Sequence, residues 1–231
     1  MRNVIYAINV TLDGCCDHTK MIADEATYEY VIRVIRDVDL LVFGRKTYQL
    51  MVPYWPDVAK DPSQSKADRE FAQAFDSINK LVFSRSLDSA EDKSTRITRA
   101  NLQDEMLKLK QEQGKNILVG GVALPSQLVE LGLVDEFRFV VQPLVVGEGR
   151  RLLEGIDPQK RLQLKLVESK IFKSGSIALR YLKQRQKNLS HLLGMNGGDE
   201  RLTFLWGLAS ERFLLAHVLG SVRLLEGIPG L

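Results

Sequence analysis

Three short runs of apolar residues, each closed by a small residue, restrict this chain more than anything else in it. Asp39 to Phe43 ends at Gly44, Lys80 to Phe83 at Ser84, and Asn116 to Val119 at Gly120-Gly121. A strand with one wet face alternates apolar and polar residues. A strand covered on both faces is apolar throughout, which is the habit of a parallel sheet between two layers of helix. Helical periodicity lies between the runs, as that arrangement requires. Tyr28, Val31, Ile32 and Ile35 fall at i, i+3, i+4 and i+7; a second helix is predicted near Ser65 to Phe75; and Asn101 can cap a third whose Leu102, Met106 and Leu109 share a face. Pro125 stands where a further helix can start. Asn3 to Leu12 reads as the opening strand, turning at Asp13-Gly14. From Asp135 the pattern changes to strand after strand: Glu136 to Val146, Leu162 to Phe172 and Ser176 to Leu182, the last two joined by a hairpin turn at Lys173 to Ser176. The expected fold is therefore α/β in three layers, a mixed and mostly parallel sheet with flanking helices and antiparallel strands added at its C-terminal end.

Composition narrows the function classes. With 231 residues, 45% hydrophobic and 26% charged, the chain has the make-up of a globular domain with an appendage. A net charge of +3 gives no case for nucleic acid. The opening MRNVIYAINVTLDG lacks the apolar core of a signal peptide and reads as a strand, which predicts a cytoplasmic protein. Cys15 and Cys16 are adjacent and poorly placed to pair, and neither they nor His18, His191 and His217 have metal-ligand spacing, so no metal site is expected. Residues 1–183 are predicted as one domain and 184–231 as a leucine-rich extension with helical character. In that extension Glu211 and Arg212 fall mid-segment, which argues against a membrane span. It suits a helix packed on the domain or on a second copy, a membrane-surface helix, or a poorly ordered tail.

Chemistry is expected where the buried strands end, because ligands of open α/β sheets bind beyond the carboxyl ends of their strands. Gly44-Arg45-Lys46-Thr47, Ser84-Arg85 and Gly120-Gly121-Val122-Ala123 stand at three such ends. The glycines let backbone N–H groups approach a pyrophosphate, and Arg45, Lys46 and Arg85 make the cluster that a ribose 2′-phosphate asks for. Taken singly, each motif also fits an ordinary tight turn or a solvated cation, and neither a G-x-G-x-x-G nor a Walker A loop is present.

Leu40 to Tyr48, Leu81 to Arg85, Ile117 to Gly121 and Leu133 to Glu136 resemble, in order and spacing, the dihydrofolate reductase superfamily. Leu12-Asp13-Gly14, Tyr54-Trp55-Pro56 and Pro143 to Gly149 are similar to its branch related to the reductase domain of riboflavin biosynthesis, and the likeness covers about residues 1–183. The resemblance implies a dihydrofolate reductase-like fold that binds NADPH and transfers a hydride to a pteridine-like or pyrimidine-like ring, in a homodimer. It implies that Arg45, Lys46 and Thr47, beside Gly44, contact cofactor phosphates, that Ser84 and Arg85 hold the 2′-phosphate, and that Gly120, Gly121, Val122 and Ala123 face the pyrophosphate and nicotinamide. It further implies an acid near the ring, for which Asp24 on the first helix and Asp13 after the first strand are the two candidates. A folate or pterin reductase and a nucleotide-binding protein without turnover are the alternative readings.

Overall fold

The computed structural model describes residues 1–22, 24–90, 92–157 and 162–184. The leucine-rich extension predicted from residue 184 falls, from 185 onward, outside the described residues. Eight strands form one sheet: β1 (Val4–Thr11), β2 (Val38–Gly44), β3 (Asn79–Phe83), β4 (Thr95–Thr98), β5 (Asn116–Val119), β6 (Glu136–Gln142), β7 (Leu164–Ile171) and β8 (Ile177–Lys183), in the spatial order β4-β3-β2-β5-β1-β6-β8-β7. Only β8 runs against the others, since it pairs antiparallel with both β6 and β7 while the remaining pairings are parallel. This is a dihydrofolate reductase-like fold. The parallel part extends one strand further than the change of pattern at Asp135 suggests, because β6 lies beside β1 and runs with it.

Among the described residues six α-helices flank the sheet: α1 (Glu25–Arg36), α2 (Arg45–Met51), α3 (Trp55–Lys60), α4 (Lys66–Asp76), α5 (Leu102–Gln111) and α6 (Ala123–Glu130). Alternate residues of the central strands face two separate cores, as the period-2 geometry of a strand demands. Val4, Tyr6, Val42, Leu81, Ile117 and Val119 pack with Met106, Leu109 and Leu128 of α5 and α6. On the other face, Ile5, Leu41, Phe43, Val82 and Leu118 pack with Ile32 and Ile35 of α1 and with Phe71 and Phe75 of α4.

Two helices and two strands differ from the sequence reading. The proline-punctuated stretch after Gly44 folds as α2 and α3; Pro56 is tolerated because it sits in the first turn of α3, where its missing N–H has no intrahelical partner to lose. β4 is four residues long, too short and polar to stand out, and it is held as an edge by pairing with β3. β6 stops at Gln142, just before Pro143, which has no N–H to give the ladder. Among the described residues no helix is long and apolar enough to cross a membrane.

Candidate functional site

The carboxyl ends of β2, β3, β4 and β5 open into one cleft of about 740 Å³. Gly44, Arg45, Lys46, Thr47, Ser84, Arg85, Gly120, Val122 and Ala123 all line it, so residues up to 79 positions apart in the chain share one wall. They meet because parallel strands deliver every strand-to-helix turn to the same edge of the sheet. Two further cations line the cleft, Arg99 and Arg150, which local sequence gave no reason to include. Arg99 is paired with Asp88 at 2.9 Å and Arg150 with Glu154 at 3.1 Å. Arg45, Lys46 and Arg85 make no ion pair among the described residues. Three uncompensated cations in one concave site raise the local concentration of a polyanion. Ser84 Oγ already accepts from the N–H groups of Ser86 and Leu87, at 3.2 and 2.9 Å, and keeps its own proton to donate.

Gly121 stands behind this wall. Its φ of +89° is in the left-handed region, and a Cβ there would fall onto the hydroxyl of Thr47. The peptide is fixed from below by Tyr6, buried on β1, whose hydroxyl donates to the Gly121 carbonyl at 3.0 Å. At Gly120 a Cβ would lie 2.8 Å from the ring of Phe43. The turn then enters α6, whose N-terminus has no side-chain cap and therefore leaves backbone N–H groups for a ligand.

A second cavity, about 610 Å³, lies on the other face of the sheet beneath α1. Tyr28, Tyr54, Trp55, Phe71 and Phe43 give it aromatic walls; Tyr28 and Trp55 meet edge to face with centroids 6.5 Å apart. Phe43 belongs to this cavity and Gly44, the next residue, to the cleft, so the two sites adjoin at the end of β2. Apart from the hydroxyls of Tyr28, Tyr30 and Tyr54 and the Trp55 N–H, polar groups are few: Asn9 on β1, Thr27 on α1, Cys16, His18 and Arg138. Burial and the neighbouring Cys15 push the Cys16 thiol up to about 11, so it stays protonated at neutral pH, and burial likewise raises the Tyr28 phenol. Asn9 could have been singled out as the amide in an otherwise apolar strand, VIYAINVT; the aromatic wall comes from distant segments and had no local signal.

Asp13 and Asp24 line neither the cleft nor the second cavity. Asp24 is the N-cap of α1, its Oδ1 accepting from Thr27 N–H at 2.7 Å. Burial works against its charge, but hydrogen bonds from Ser174 and from the Thr27 N–H outweigh it and hold the carboxyl below its usual range. Its side chain does not point along the apolar stripe toward the sheet, because a cap must turn back onto its own first turn. Asp13 ties two loops together. It accepts from the Thr11 hydroxyl at 2.5 Å, from Gly147 N–H at 2.8 Å and from Arg151 at 3.0 Å, and these contacts, Thr11 first, hold its carboxyl low. Among the described residues no cluster of ligating side chains suits a metal ion.

Residues 2–178 match the family described as the RibD C-terminal domain. The chain is 34% identical over 184 residues to YyaP of Bacillus subtilis (strain 168), itself uncharacterized, with 78% of this chain and 94% of YyaP covered. Among solved structures it resembles RibD of Acinetobacter baumannii, with a TM-score of 0.59 and 17% identity over 80% of this chain and 59% of that one. It also resembles the diaminohydroxyphosphoribosylaminopyrimidine deaminase/5-amino-6-(5-phosphoribosylamino)uracil reductase of Thermotoga maritima, with a TM-score of 0.56 and 17% identity over 79% of this chain and 57% of that one.

Proposed function

Because the chain belongs to the RibD C-terminal domain family, we propose that it is an NADPH-dependent reductase of the riboflavin-biosynthesis type, with residues 1–183 as its catalytic domain. One observation carries the reading: a cation-lined cleft and an aromatic cavity adjoin across consecutive residues, Gly44 and Phe43. The residues present fit the cofactor. Arg45, Lys46 and Arg85 bring unpaired charge for phosphates, the last of them beside Ser84 for a 2′-phosphate, while the glycine turn leaves backbone close to the cleft where a Cβ at Gly121 would strike Thr47. NADPH, when bound, supplies the hydride. The chain's own work is to hold the ring flat against its aromatic wall, to exclude water, and to keep it in register through Asn9 and Thr27. Asp13 and Asp24 act on the walls in this reading, Asp13 by fixing the loop at Gly147 and Asp24 by capping α1.

The test is calorimetry with NADPH and NADH, followed by a panel of aminopyrimidines, pterins and folates watched at the nicotinamide absorbance. NADPH should bind well above NADH and be consumed with one class of ring. A second reading, a nucleotide-binding protein without turnover, is favoured by the lack of any carboxylate among the described residues lining either cavity. NADPH binding with no consumption across the panel would decide for it.

A further inference from the structure

The cations of this molecule are divided unevenly between its two cavities. The cleft has three that are unpaired. Among the described residues the aromatic cavity has only Arg138 and His18, and Arg138 is already spoken for: it forms an ion pair with Glu136 and lies 3.8 Å from Asp37. Glu136 in turn holds Arg180 in a two-pronged contact at 2.9 and 3.0 Å, so the buried carboxylate and its arginines form a closed set. His18 leans outward beside Asp17, with 63% of its side chain exposed. A phosphate entering here would meet no free permanent charge, and shedding its water without one is costly.

What the cavity does offer is neutral hydrogen bonding. The side-chain amide of half-buried Asn9 has no hydrogen-bond partner among the described residues, and it presents a donor and an acceptor together. Thr27 is 3% exposed, and its Oγ1 reaches hydrogen-bond geometry with nothing, not even the adjacent Asp24 that takes its N–H. An unsatisfied buried hydroxyl is a standing cost to the fold, and an apolar pocket with a few such groups is the usual form of a small-molecule site.

We propose that the cavity beneath α1 takes an uncharged, flat heterocycle carrying no phosphate, hydrogen-bonded by Asn9 and Thr27. The inference rests on the reading of this cavity as the substrate site, and it separates this chain from the phosphoribosyl substrate in the name of the Thermotoga maritima enzyme. The experiment is calorimetry in the absence of cofactor with lumazine, an uncharged pteridine dione, and with 5-amino-6-(ribosylamino)uracil and its 5′-phosphate. Lumazine should bind, and the phosphate should add less than threefold to the affinity of the ribosyl compound. Thr27→Val and Asn9→Ala should each weaken lumazine about tenfold, the change that one lost hydrogen bond produces. Thr27→Val should melt no lower than the parent protein. A tenfold gain from the phosphate, no heat from lumazine at millimolar concentration, or equal lumazine binding by the parent and both variants would overturn the proposal. NADPH is titrated separately: its failure to bind defeats the reductase reading, whereas the outcomes just named defeat only the choice of ring.

Discussion

The cleft and the aromatic cavity share the end of β2 and differ in nearly everything else. In the cleft, charge comes from turns that follow strands, and it is left unpaired. In the cavity, the wall comes from helices and strand interiors on the opposite face, and the embedded Arg138 is neutralised by a buried glutamate. The contrast shows how one sheet serves two kinds of ligand. Its edge presents backbone and flexible cations, suited to a polyanion, while its face presents packed rings, suited to a flat apolar body.

The hardest way to break the contrast is Gly121→Val. The branched side chain would meet Thr47 and would have to adopt a φ of +89°, so NADPH binding should fall at least a hundredfold, about 2.7 kcal/mol. Lumazine binding should survive; if both ligands are lost, the two sites are not independent.

Glu136→Gln attacks the contrast from the other side, by releasing Arg138 and Arg180. Loss of one partner from a buried ion pair should cost roughly 2–4 kcal/mol in a urea melt. It should also turn the cavity into a better phosphate binder, raising the affinity of the ribosyl phosphate over its parent compound. The pH dependence follows from the same residue. Burial opposes its charge, yet Arg180 and Arg138 hold its folded-state carboxyl below the usual range. Its stabilisation is therefore complete above the unfolded value of about 4.3 and is lost as pH falls through the lower folded value. The parent protein should lose stability in that acid window, and Glu136→Gln should lose less.

Arg85→Ala sharpens the cleft half of the comparison. NADPH should weaken by roughly 1.5–3 kcal/mol, the worth of a hydrogen bond to a charged group, with NADH unchanged in the same titration. Equal losses for both cofactors would move Arg85 away from the 2′-phosphate.

Smaller effects concern the cap and the hydroxyl beneath α1. Asp24→Ala should destabilise by about 1 kcal/mol and Asp24→Asn by a few tenths, and Asp24→Asn should keep turnover and its pH profile on whichever substrate the panel finds. A large fall in turnover with NADPH binding spared would return Asp24 to the reacting ring. Thr27→Val, which removes an unsatisfied buried hydroxyl, should raise stability by up to about 1 kcal/mol, seen as a small rise in Tm.

The same division explains what could be read beforehand. Strands β2, β3 and β5 were visible because burial on both faces writes apolar residues at every position, and the cleft followed because its residues sit immediately after those strands. Arg99 and Arg150 were hidden, since their membership of the cleft depends on the sheet order. The aromatic cavity was hidden more deeply. Tyr28, Trp55 and Phe71 look like ordinary apolar positions on three separate helices, and only the packing of α1, α3 and α4 leaves a space between them. Asp24 shows the limit of periodicity: lying one turn before Tyr28, it shares the stripe's angle, but the capping bond to Thr27 N–H redirects its carboxylate.

The position of β1 has a consequence for the life of the chain before any ligand arrives. It is synthesised before either of its neighbours, since it lies between β5 and β6, with Val4 opposite Ile117 and Thr11 opposite Gln142. Neither neighbour exists until most of the domain has left the ribosome, a wait on the order of ten seconds at ordinary elongation speeds. Throughout that interval Val4, Ile5 and Tyr6, all fully buried in the end, have no sheet to join. Pairings this distant in sequence also carry a high loop-closure cost, which slows folding after release. β1 thus leaves the ribosome well ahead of both its partners, and the yield in a cell should depend on chaperones that cover it until β5 and β6 appear.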